Sequence, residues 1–327
     1  MSAEKIKEKS YRFALVADIH IDLEKNGENT YFIYAEENFR QLLQAAKKYG
    51  CEFIISAGDQ VTNATGAVEE WKRYREIIRD SGYQGLIFEA LGNHELRYAK
   101  YGGCSVRECV DEFIQYTELS EKPVIRENGK PYYEYIHPLF GDSYLFMAIE
   151  NGYDVNSLDN FSDEQMDWAE SAIAKRTAQG RRIFLIQHSP LYGFGAGDDR
   201  ENPAYLGSIR TQDAAGNIFP NNLRFRKLLE TYKDIIWASG HTHLRFEDEK
   251  NYSDDSGNSC RMFHIPALSG TTRLTYDSDG KRTLDRAFRE DEAQGYIVDV
   301  YEDKAVFSGV NFFRDELYPL YTYTIKR

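Results

Sequence analysis

Five short clusters of polar side chains, spaced along the chain between residues 18 and 243, have the residue types of a metal site. Every donor among them is a carboxylate, an amide or an imidazole, and five of the seven histidines of the chain lie within them. Oxygen and nitrogen donors without a thiolate suit Mn²⁺, Fe²⁺/³⁺ or Zn²⁺ better than a soft metal. The clusters are Asp18-Ile-His20, Gly58-Asp59, Gly92-Asn-His-Glu95, His188-Ser-Pro190 and Gly240-His-Thr-His243.

Each cluster taken alone has an ordinary structural explanation. Glycine followed by Asp or Asn is common in turns, and Asn93 precedes an apolar position in the manner of a helix N-cap. A single histidine is more often hydrogen-bonded than bound to a metal. Chance does not readily gather five of seven histidines in such clusters, so the set as a whole favours one functional site.

A short apolar run precedes each cluster and predicts a buried strand that ends where the cluster begins. These runs lie over 13–17, 51–57, 86–91, 183–187 and 235–239. Helical spacing between the first three, ending at Gly50 and near Gly82, predicts a β-α-β-α-β opening with a parallel sheet. Because ligands of open α/β sheets bind outside the carboxyl ends of the strands, the five clusters are expected to converge on one rim.

The middle of the chain alternates between hairpin and helix signals. Asn128-Gly129 indicates a hairpin, with strands to follow over 132–136 and 144–149. Ser162-Asp-Glu-Gln165 has the form of a capping box, and a further helix is predicted over 223–232. After Met262 the chain is rich in strands, over 296–300, 305–310 and 318–325.

The composition is that of an ordinary globular protein and excludes several classes. Of 327 residues, 42% are hydrophobic and 28% charged, and the mean hydropathy is −0.60. The formal net charge is −13, whereas proteins that bind nucleic acids or anionic membrane surfaces in bulk are basic, so both kinds of binding are disfavoured. No apolar run approaches the roughly 18 residues of a membrane span. The charged tail over 1–10 has no signal-peptide core, so we expect a cytoplasmic protein.

No linker rich in Pro, Gly or Ser divides the chain, and we expect a single domain over 11–327. The cysteines, at 51, 104, 109 and 260, are irregularly spaced. Free thiols are expected in a chain of this length and compartment, although the spacing of Cys104 and Cys109 leaves a redox pair open.

The five clusters, in this order, resemble those of the calcineurin-like metallophosphoesterase superfamily, from about residue 11 to about residue 245. The resemblance implies an α/β sandwich of two mixed β-sheets flanked by helices. The strands after Met262 lie beyond the resemblance, and we expect them to extend the second sheet or, alternatively, to form an interface. It also implies a site with two divalent metal ions, Mn or Fe being favoured over Zn. The family pattern implies that Asp18, His20 and His243 hold one ion, that Asn93, His188 and His241 hold the other, and that Asp59 bridges them, while His94 is the catalytic histidine.

The implied activity is hydrolysis of a phosphate ester by a hydroxide that bridges the two ions. His94 would protonate the leaving oxygen or stabilise its charge. A cationic pocket on an acidic protein would concentrate a small phosphomonoester or phosphodiester and discourage polyanions. The motifs are similar to those of bacterial cyclic-nucleotide phosphodiesterases. A nuclease and a non-catalytic metal-binding scaffold stay open as alternatives, the scaffold being disfavoured because the chain keeps every ligand and His94; the oligomeric state is not indicated.

The segment over 192–222 directly follows His188, is rich in Gly, Asp and Asn, and has no clear period. A loop of this length in a compact domain is usually functional, so we expect it to shape the substrate pocket. Its Tyr192, Phe194, Tyr205 and Arg210 are candidates for stacking on a base or pairing with phosphate, with simple packing inside the loop as the alternative.

Three details depart from the family pattern or lie outside it. Many relatives continue Gly-Asp-x-x-Asp, whereas Thr62 stands at that position here, which also lacks the tyrosine ligand of purple acid phosphatases. Glu95 could orient His94 or could be a first-turn helix acid. His137 and His264 lie on apparent strands outside the clusters and are expected to be structural.

Overall fold

Strands and helices alternate through the parts of the chain that the computed structural model describes, which are residues 9–23, 32–63, 66–150, 159–197, 209–248, 250–285 and 291–327. Most of the charged tail predicted over 1–10 lies outside these residues. The strands are β1 (Ser10–Val16), β2 (Phe53–Ser56), β3 (Leu86–Glu89), β4 (Val124–Ile125), β5 (Tyr133–Ile136), β6 (Ser143–Phe146), β7 (Ile183–Ile186), β8 (Ile235–Ser239), β9 (Tyr252–Ser253), β10 (Arg261–His264), β11 (Arg273–Tyr276), β12 (Arg282–Asp285), β13 (Gln294–Tyr301), β14 (Lys304–Asn311) and β15 (Glu316–Lys326). The helices are α1 (Ala35–Tyr49), α2 (Val68–Ser81), α3 (Arg97–Lys100), α4 (Val106–Tyr116), α5 (Asp163–Ala178) and α6 (Pro220–Thr231), with short 3₁₀ turns at His94–Leu96 and Asp255–Gly257.

The strands form two large mixed sheets and a separate ribbon of β11 and β12. The first sheet has the order β15-β14-β13-β1-β2-β3, and the second has the order β4-β5-β6-β7-β8-β10-β9. In the first, β1, β2 and β3 run parallel, with Phe13 beside Phe53 and Phe53 beside Leu86. In the second, β6, β7, β8 and β10 run parallel. The predicted β-α-β-α-β opening and the two-sheet architecture are both confirmed.

The C-terminal strands extend the first sheet, so their predicted place in the second sheet is wrong. β13 pairs antiparallel with the edge of β1 that β2 leaves open, which puts Val298 beside Phe13. The strand pattern did not identify this edge because alternation fixes which face of a strand is buried, not which strand lies beside it. Phe307 of β14 then reaches across to the second sheet and stacks on Phe263, with ring centroids 3.9 Å apart.

The main core lies between the two sheets, and helices cover their outer faces. Phe13 of the first sheet stacks on Phe53 and meets Tyr144 and Phe184 of the second sheet edge-on, at 5.6 and 5.8 Å. On the outside of the second sheet, Phe225 of α6 packs edge-on against the Trp237 ring at 5.7 Å. Aromatic pairs of this kind add to the apolar area that they bury. The packing therefore holds the strands rigidly and fixes the positions of the loops at their carboxyl ends.

Local signals explain most helix ends, with two differences from the sequence prediction. Gly50 and Gly82 end α1 and α2 in the left-handed conformation, as predicted. The Ser162 hydroxyl caps α5, but the Gln165 side chain does not close the box and instead bonds both backbone groups of Ala148. Helix α6 begins at Pro220, before the predicted start, because proline is well suited to a first helical turn.

Helix α4 was not predicted, although it has a complete capping box between Ser105 and Glu108.

No helix in the described parts of the chain is long and apolar enough to cross a membrane.

Candidate metal centre

The loops that follow β1, β2, β3, β7 and β8 meet at one rim, where both sheets end. Backbone hydrogen bonds join them directly: the Asp18 amide donates to the Gly58 carbonyl, and the His20 amide donates to the Asp59 carbonyl. The Gly240 amide likewise donates to the His188 carbonyl at 2.8 Å. The polar clusters are therefore positioned by the edges of both sheets and not by isolated loops, as expected for ligand sites in open α/β sheets.

The backbone at this rim is unusual, because five of the candidate ligands adopt positive φ angles. These are Asp18, His20, Asp59, His241 and His243, with φ between 54° and 76°. A non-glycine residue with positive φ carries a conformational cost, and such residues cluster where function requires a particular side-chain direction. The rim thus stores backbone strain that the core packing has to offset.

Two motif glycines are required because side chains approach their backbone closely. A Cβ at Gly92 would lie 2.3 Å from Asp59 Oδ1, and a Cβ at Gly58 would lie 2.6 Å from His188 Nδ1. Any larger residue at these positions would displace a candidate ligand. The glycines of the Gly-Asp and Gly-Asn pairs therefore serve close approach, beyond the ordinary turn role that each pair has by itself.

Asp18, His20 and His243 form one group of potential ligands. Their nearest ligand atoms all lie within 4.8 Å of one another. The Nε2 atoms of His20 and His243 face each other at 3.1 Å, and His243 Nε2 is 3.3 Å from Asp18 Oδ1. The other Asp18 oxygen accepts from the His241 backbone amide, which leaves Oδ1 turned toward the imidazoles.

Asp59, His188 and His241 form a second group on the same geometric criterion. His188 Nε2 is 3.0 Å from Asp59 Oδ2 and 3.1 Å from His241 Nδ1. Asp59 Oδ2 also lies 3.7 Å from His20 Nε2, so one carboxylate oxygen faces both groups. The remaining oxygen, Oδ1, accepts a hydrogen bond from the His94 amide, so Oδ2 is the oxygen that is turned toward both groups.

Ring nitrogens on the far side of the imidazoles are anchored to the backbone, which fixes the tautomers. His188 Nδ1 bonds the Ala57 carbonyl and His243 Nδ1 bonds the Gly270 carbonyl, both at 2.9 Å. A carbonyl only accepts, so each Nδ1 carries the hydrogen, and in the neutral ring Nε2 presents a lone pair to the rim. Metal-bound histidines are commonly oriented by such hydrogen bonds.

This donor set fits a pair of cations. His188 Nε2 and His241 Nδ1 face each other at 3.1 Å, a contact that needs either one shared hydrogen or a cation between the two nitrogens. In addition, the buried Oδ1 atoms of Asp18 and Asn93 have no hydrogen-bond partner within the described chain. Buried polar atoms rarely stay unpaired, and carboxylate, amide and imidazole donors together suit Mn, Fe or Zn.

The carboxylates of the rim favour positive charge on their neighbours. Burial opposes charge on His188, but the Asp59 carboxylate outweighs it and raises the pKa of His188 to about 9. Burial likewise disfavours ionisation of Asp18, yet the neighbouring imidazoles, His243 first, hold its pKa well below the usual range. Burial and the His188 charge lower the pKa of His241 to about 3. The buried carboxylates therefore stay ionised and attract cations.

His94 lies beside these groups, at the partly exposed edge of the rim. Its ligand atom is within 4.8 Å of those of His20 and Asp59. Its Nδ1 bonds the Thr62 carbonyl at 3.0 Å, which leaves Nε2 as the ring atom that can reach a bound molecule. Burial lowers the pKa of His94 to about 3, so the ring is neutral before an anion binds. The backbone carbonyl of Thr62 supplies an acceptor at the position where many relatives carry an acid.

Glu95 does not orient the His94 ring through any described contact; it joins two loops instead. Its carboxylate accepts from the backbone amides of Asp59 at 3.1 Å, Gln60 at 2.6 Å and Gly92 at 2.7 Å. These bonds tie the Gly-Asp loop to the Gly-Asn loop. The sequence left this residue's role open between an orienting residue and a helix acid, and neither alternative included the loop contact.

Phe32 was missed by the sequence reasoning. Its ring stacks on His20 with centroids 4.1 Å apart, and it lies 6.0 Å from His243 and 6.4 Å from His94. Only 7% of Phe32 is exposed, so it covers one side of the first ligand group. A single aromatic residue outside any motif gives no sequence signal for such a contact.

The predicted substrate residues lie in the described part of the loop, except Tyr205, which falls outside the described residues. The Arg210 guanidinium lies over the Tyr192 ring at 4.9 Å, and Phe194 is buried beneath Arg226. Tyr192 and Arg210 therefore contact each other, whereas Phe194 packs against Arg226 of α6, outside the predicted segment. Because α6 begins at Pro220, the irregular segment ends before the predicted limit of 222.

The two histidines outside the clusters have structural contacts. His137 stacks on Tyr11 with centroids 3.6 Å apart, and its Nε2 lies 3.3 Å from Glu52. His264 is fully buried and its Nε2 lies 2.7 Å from the Thr242 hydroxyl, behind the loop that carries His241 and His243. Neither ring belongs to a potential ligand group in the described chain.

Solved structures with the same fold include several proteins with little sequence identity. A dimetal phosphatase from Danio rerio is 13% identical with a TM-score of 0.62, covering 97% of this chain and 98% of that one. The purple acid phosphatase PPD1 from yellow lupin seeds is 16% identical with a TM-score of 0.62, over 98% of this chain and 54% of that one. GAP50, the anchor in the inner membrane complex of Plasmodium, is 14% identical with a TM-score of 0.57, over 97% and 89%.

No protein of curated function matches the sequence. The family model for calcineurin-like phosphoesterases, however, matches residues 11–245, which is most of the chain and includes all five clusters. With two mixed sheets and a rim of facing carboxylates and imidazoles, the chain belongs to the calcineurin-like phosphoesterase family, and it is a metal-dependent hydrolase of phosphoric esters.

Proposed function

We propose that this protein hydrolyses a small phosphomonoester or phosphodiester at a centre of two divalent metal ions that share Asp59. The observation that carries the proposal is the position of Asp59 Oδ2, which lies 3.0 Å from His188 Nε2 and 3.7 Å from His20 Nε2. A carboxylate between two ligand groups is the arrangement that holds two cations about 3.5–4 Å apart.

The proposed ligands form two sets on either side of Asp59. Asp18, His20 and His243 would hold one ion, and Asn93, His188 and His241 would hold the other. When bound, such ions lower the pKa of a water to near neutrality and neutralise the phosphate oxygens. Because Asp18 and Asp59 are the only acids in the proposed set, two divalent ions leave a net positive site that attracts a phosphate ester.

His94 would act at the leaving oxygen. The Thr62 carbonyl holds Nδ1, so Nε2 is the ring nitrogen that would present a proton to that oxygen as the bond to phosphorus breaks. A substrate phosphate brings negative charge beside the ring and favours its protonated form. General acid catalysis of this kind contributes about 10²–10⁴-fold.

The substrate is proposed to be small. A formal charge of −13 disfavours a polyanion at the protein surface, which makes a nuclease the weaker candidate. The loop around Tyr192 and Arg210 follows His188 directly, and we propose that it contributes to substrate selection. The same proposal includes Mn or Fe as the metals. It also includes the cytoplasm as the compartment and a single domain over residues 11–327.

A panel of phosphate esters tests this function. Purified protein is assayed with aryl monoesters, aryl diesters and cyclic nucleotides under Mn²⁺, with Asp59→Asn as the matched inactive control. We expect Mn²⁺-dependent turnover of at least one class, and its loss in the variant. If protein that binds two equivalents of Mn²⁺ turned over none of these esters, the non-catalytic scaffold would be the correct function.

A further inference from the structure

Two of the four cysteines lie against each other at the start of α4. Cys104 precedes the N-cap residue Ser105, and Cys109 is the fourth residue of the helix. Their Sγ atoms are 3.0 Å apart. These two positions are the ones that an apolar pair occupies in a hydrophobic staple, where the residue before the N-cap packs on the first turn of the helix.

The local backbone holds the two sulfurs together. The Ser105 hydroxyl accepts from the Glu108 amide, and the Glu108 carboxylate accepts from the Ser105 amide at 2.8 Å. This closed capping box fixes the angle at which the chain enters the helix. Cys104 consequently points back over the helix toward Cys109, and closing the gap to a disulfide length of about 2.05 Å takes a movement of only about 1 Å.

The two thiols have different surroundings, which assigns them different roles. Cys104 is partly exposed, whereas Cys109 is 2% exposed and packs in the core with Val110 and Phe113. Burial, with the neighbouring Cys104, raises the pKa of Cys109 to about 12. A reagent in solution therefore meets Cys104 first. The other two cysteines, Cys51 and Cys260, are buried elsewhere and serve as internal references.

We propose that Cys104 and Cys109 are a redox-active dithiol that forms a reversible intramolecular disulfide by exchange with a low-molecular-weight disulfide such as oxidised glutathione. The proposal does not depend on the phosphoesterase function. It rests on the staple geometry, the sulfur contact and the access of solvent to one partner only.

The exchange takes place in two balanced steps. The Cys104 thiolate attacks one sulfur of the small disulfide, which breaks its S–S bond and releases one small thiolate, leaving Cys104 in a mixed disulfide. Cys109 then attacks Cys104 Sγ, which forms the internal bond and breaks the mixed disulfide, and the proton of Cys109 passes to the departing small thiolate, which leaves as the second thiol. Two protein thiols are oxidised, and one small disulfide is reduced to two thiols.

The disulfide would lie beside the segment that carries His94, but it would not fix the position of the His94 ring. α4 packs against α3 and the 3₁₀ turn that begins at His94. The His94 ring itself is held by the Thr62 carbonyl, and its backbone amide is held by Asp59. Oxidation is therefore expected to leave the phosphoesterase kcat/KM within about twofold, because neither anchor contacts the cysteines.

The test is peptide mapping of the native protein after incubation in mixtures of reduced and oxidised glutathione. The reaction is quenched with acid, remaining thiols are alkylated under denaturing conditions, and peptides are identified by mass spectrometry. We expect one crosslink, between Cys104 and Cys109, that has lost two hydrogens and is reversed by dithiothreitol, while Cys51 and Cys260 stay alkylated. Cys109→Ser should instead keep one glutathione on Cys104, and Cys104→Ser should leave Cys109 unmodified.

Two results would overturn the proposal. One is full alkylation of all four cysteines at every glutathione ratio, which would make the pair an unreactive staple. The other is a stable glutathione adduct on Cys104 of the unmodified sequence, which would show that Cys109 does not resolve it. Circular dichroism of the two serine variants confirms that they fold, so that a missing crosslink is not mistaken for a lost structure.

Discussion

Two buried groups of carboxylates in this molecule are built on opposite principles. The Glu134 carboxylate has all its hydrogen-bond partners within the protein. Arg176 donates to both of its oxygens at 2.7 and 2.9 Å, and the Ser143 hydroxyl donates a third hydrogen bond. Asp18 and Asp59 at the rim have one oxygen each on a backbone amide, while the other oxygen faces imidazoles. Both groups are buried, but among the described residues only Glu134 is paired with a guanidinium, whereas the two rim carboxylates face imidazoles.

The difference separates structural from functional burial of charge. A buried carboxylate costs free energy unless it is paired. Glu134 has a permanent guanidinium partner, whereas Asp18 and Asp59 depend on imidazoles that either take up a proton or share a bound cation with them. The positive φ angles of Asp18 and Asp59 add a second cost that Glu134 does not have. Incomplete pairing together with backbone strain is therefore the physical signature of the metal site.

The largest effect is expected from Asp59→Asn. The amide keeps the shape but removes the shared negative charge, so both ions bind weakly and turnover falls by at least about 10⁴-fold. Metal content by plasma mass spectrometry should drop from two equivalents toward none. Mn²⁺ should raise the Tm of the unmodified protein, because binding stabilises the folded state, and should leave the Tm of the variant unchanged. Two equivalents of metal in the variant would contradict the bridging role.

His94→Ala is expected to separate chemistry from metal binding. Loss of the group that faces the leaving oxygen should lower kcat by about 10²–10⁴-fold, with the greatest loss for esters of poor leaving groups. Metal content should stay at two equivalents. Steady-state kinetics across a series of leaving-group pKa values measures this, and an equal loss for good and poor leaving groups would place His94 among the ligands instead.

Glu95→Gln should give an intermediate effect. Either the Gln60 amide or both the Asp59 and Gly92 amides would then face an NH₂ group, and the loop that presents Asp59 would shift. We expect metal affinity to fall by about 10–100-fold, as for other residues that support ligands, with kcat largely restored at saturating Mn²⁺. A titration of activity against Mn²⁺ distinguishes this from damage to the reaction itself, in which saturation would restore nothing.

Arg176→Met should have the smallest effect on the site and a large one on stability. Removing one partner of a buried ion pair is expected to destabilise the fold by about 3–5 kcal/mol in urea unfolding. The double variant Glu134→Leu with Arg176→Met should recover most of this loss, because no charge is left unpaired. In the single and the double variant, kcat/KM of the folded protein should stay within about twofold of the value for the unmodified protein. A larger drop would mean that the ion pair of Glu134 is energetically coupled to the carboxylates of the rim.

Much of the architecture was predictable because its signals are local. Apolar runs and helix-ending glycines indicated the strands and helices of the opening, and the motif order indicated the two-sheet sandwich. The place of β13–β15 was not predictable, since pairing with β1 depends on which edge the crossover helices leave open. Helix α4 was missed although Ser105 and Glu108 form its capping box.

The candidate site shows the same division. The sequence indicated which residue types would gather at the strand ends, because each strand carries its cluster directly behind it. It gave no sign of the Glu95 bonds to the Asp59 and Gln60 amides or of Phe32 on His20, since these contacts join residues that are distant in the chain and belong to no periodic pattern. The positive φ angles likewise arise only when the loops of both sheets pack together.

The most direct test of a two-ion centre is anomalous diffraction from crystals grown with Mn²⁺. We expect two manganese peaks on either side of Asp59, one among Asp18, His20 and His243 and the other among Asn93, His188 and His241. A single peak, or no peak although all the coordinating side chains are ordered, would show that the carboxylates of the rim serve some purpose other than holding a pair of metal ions.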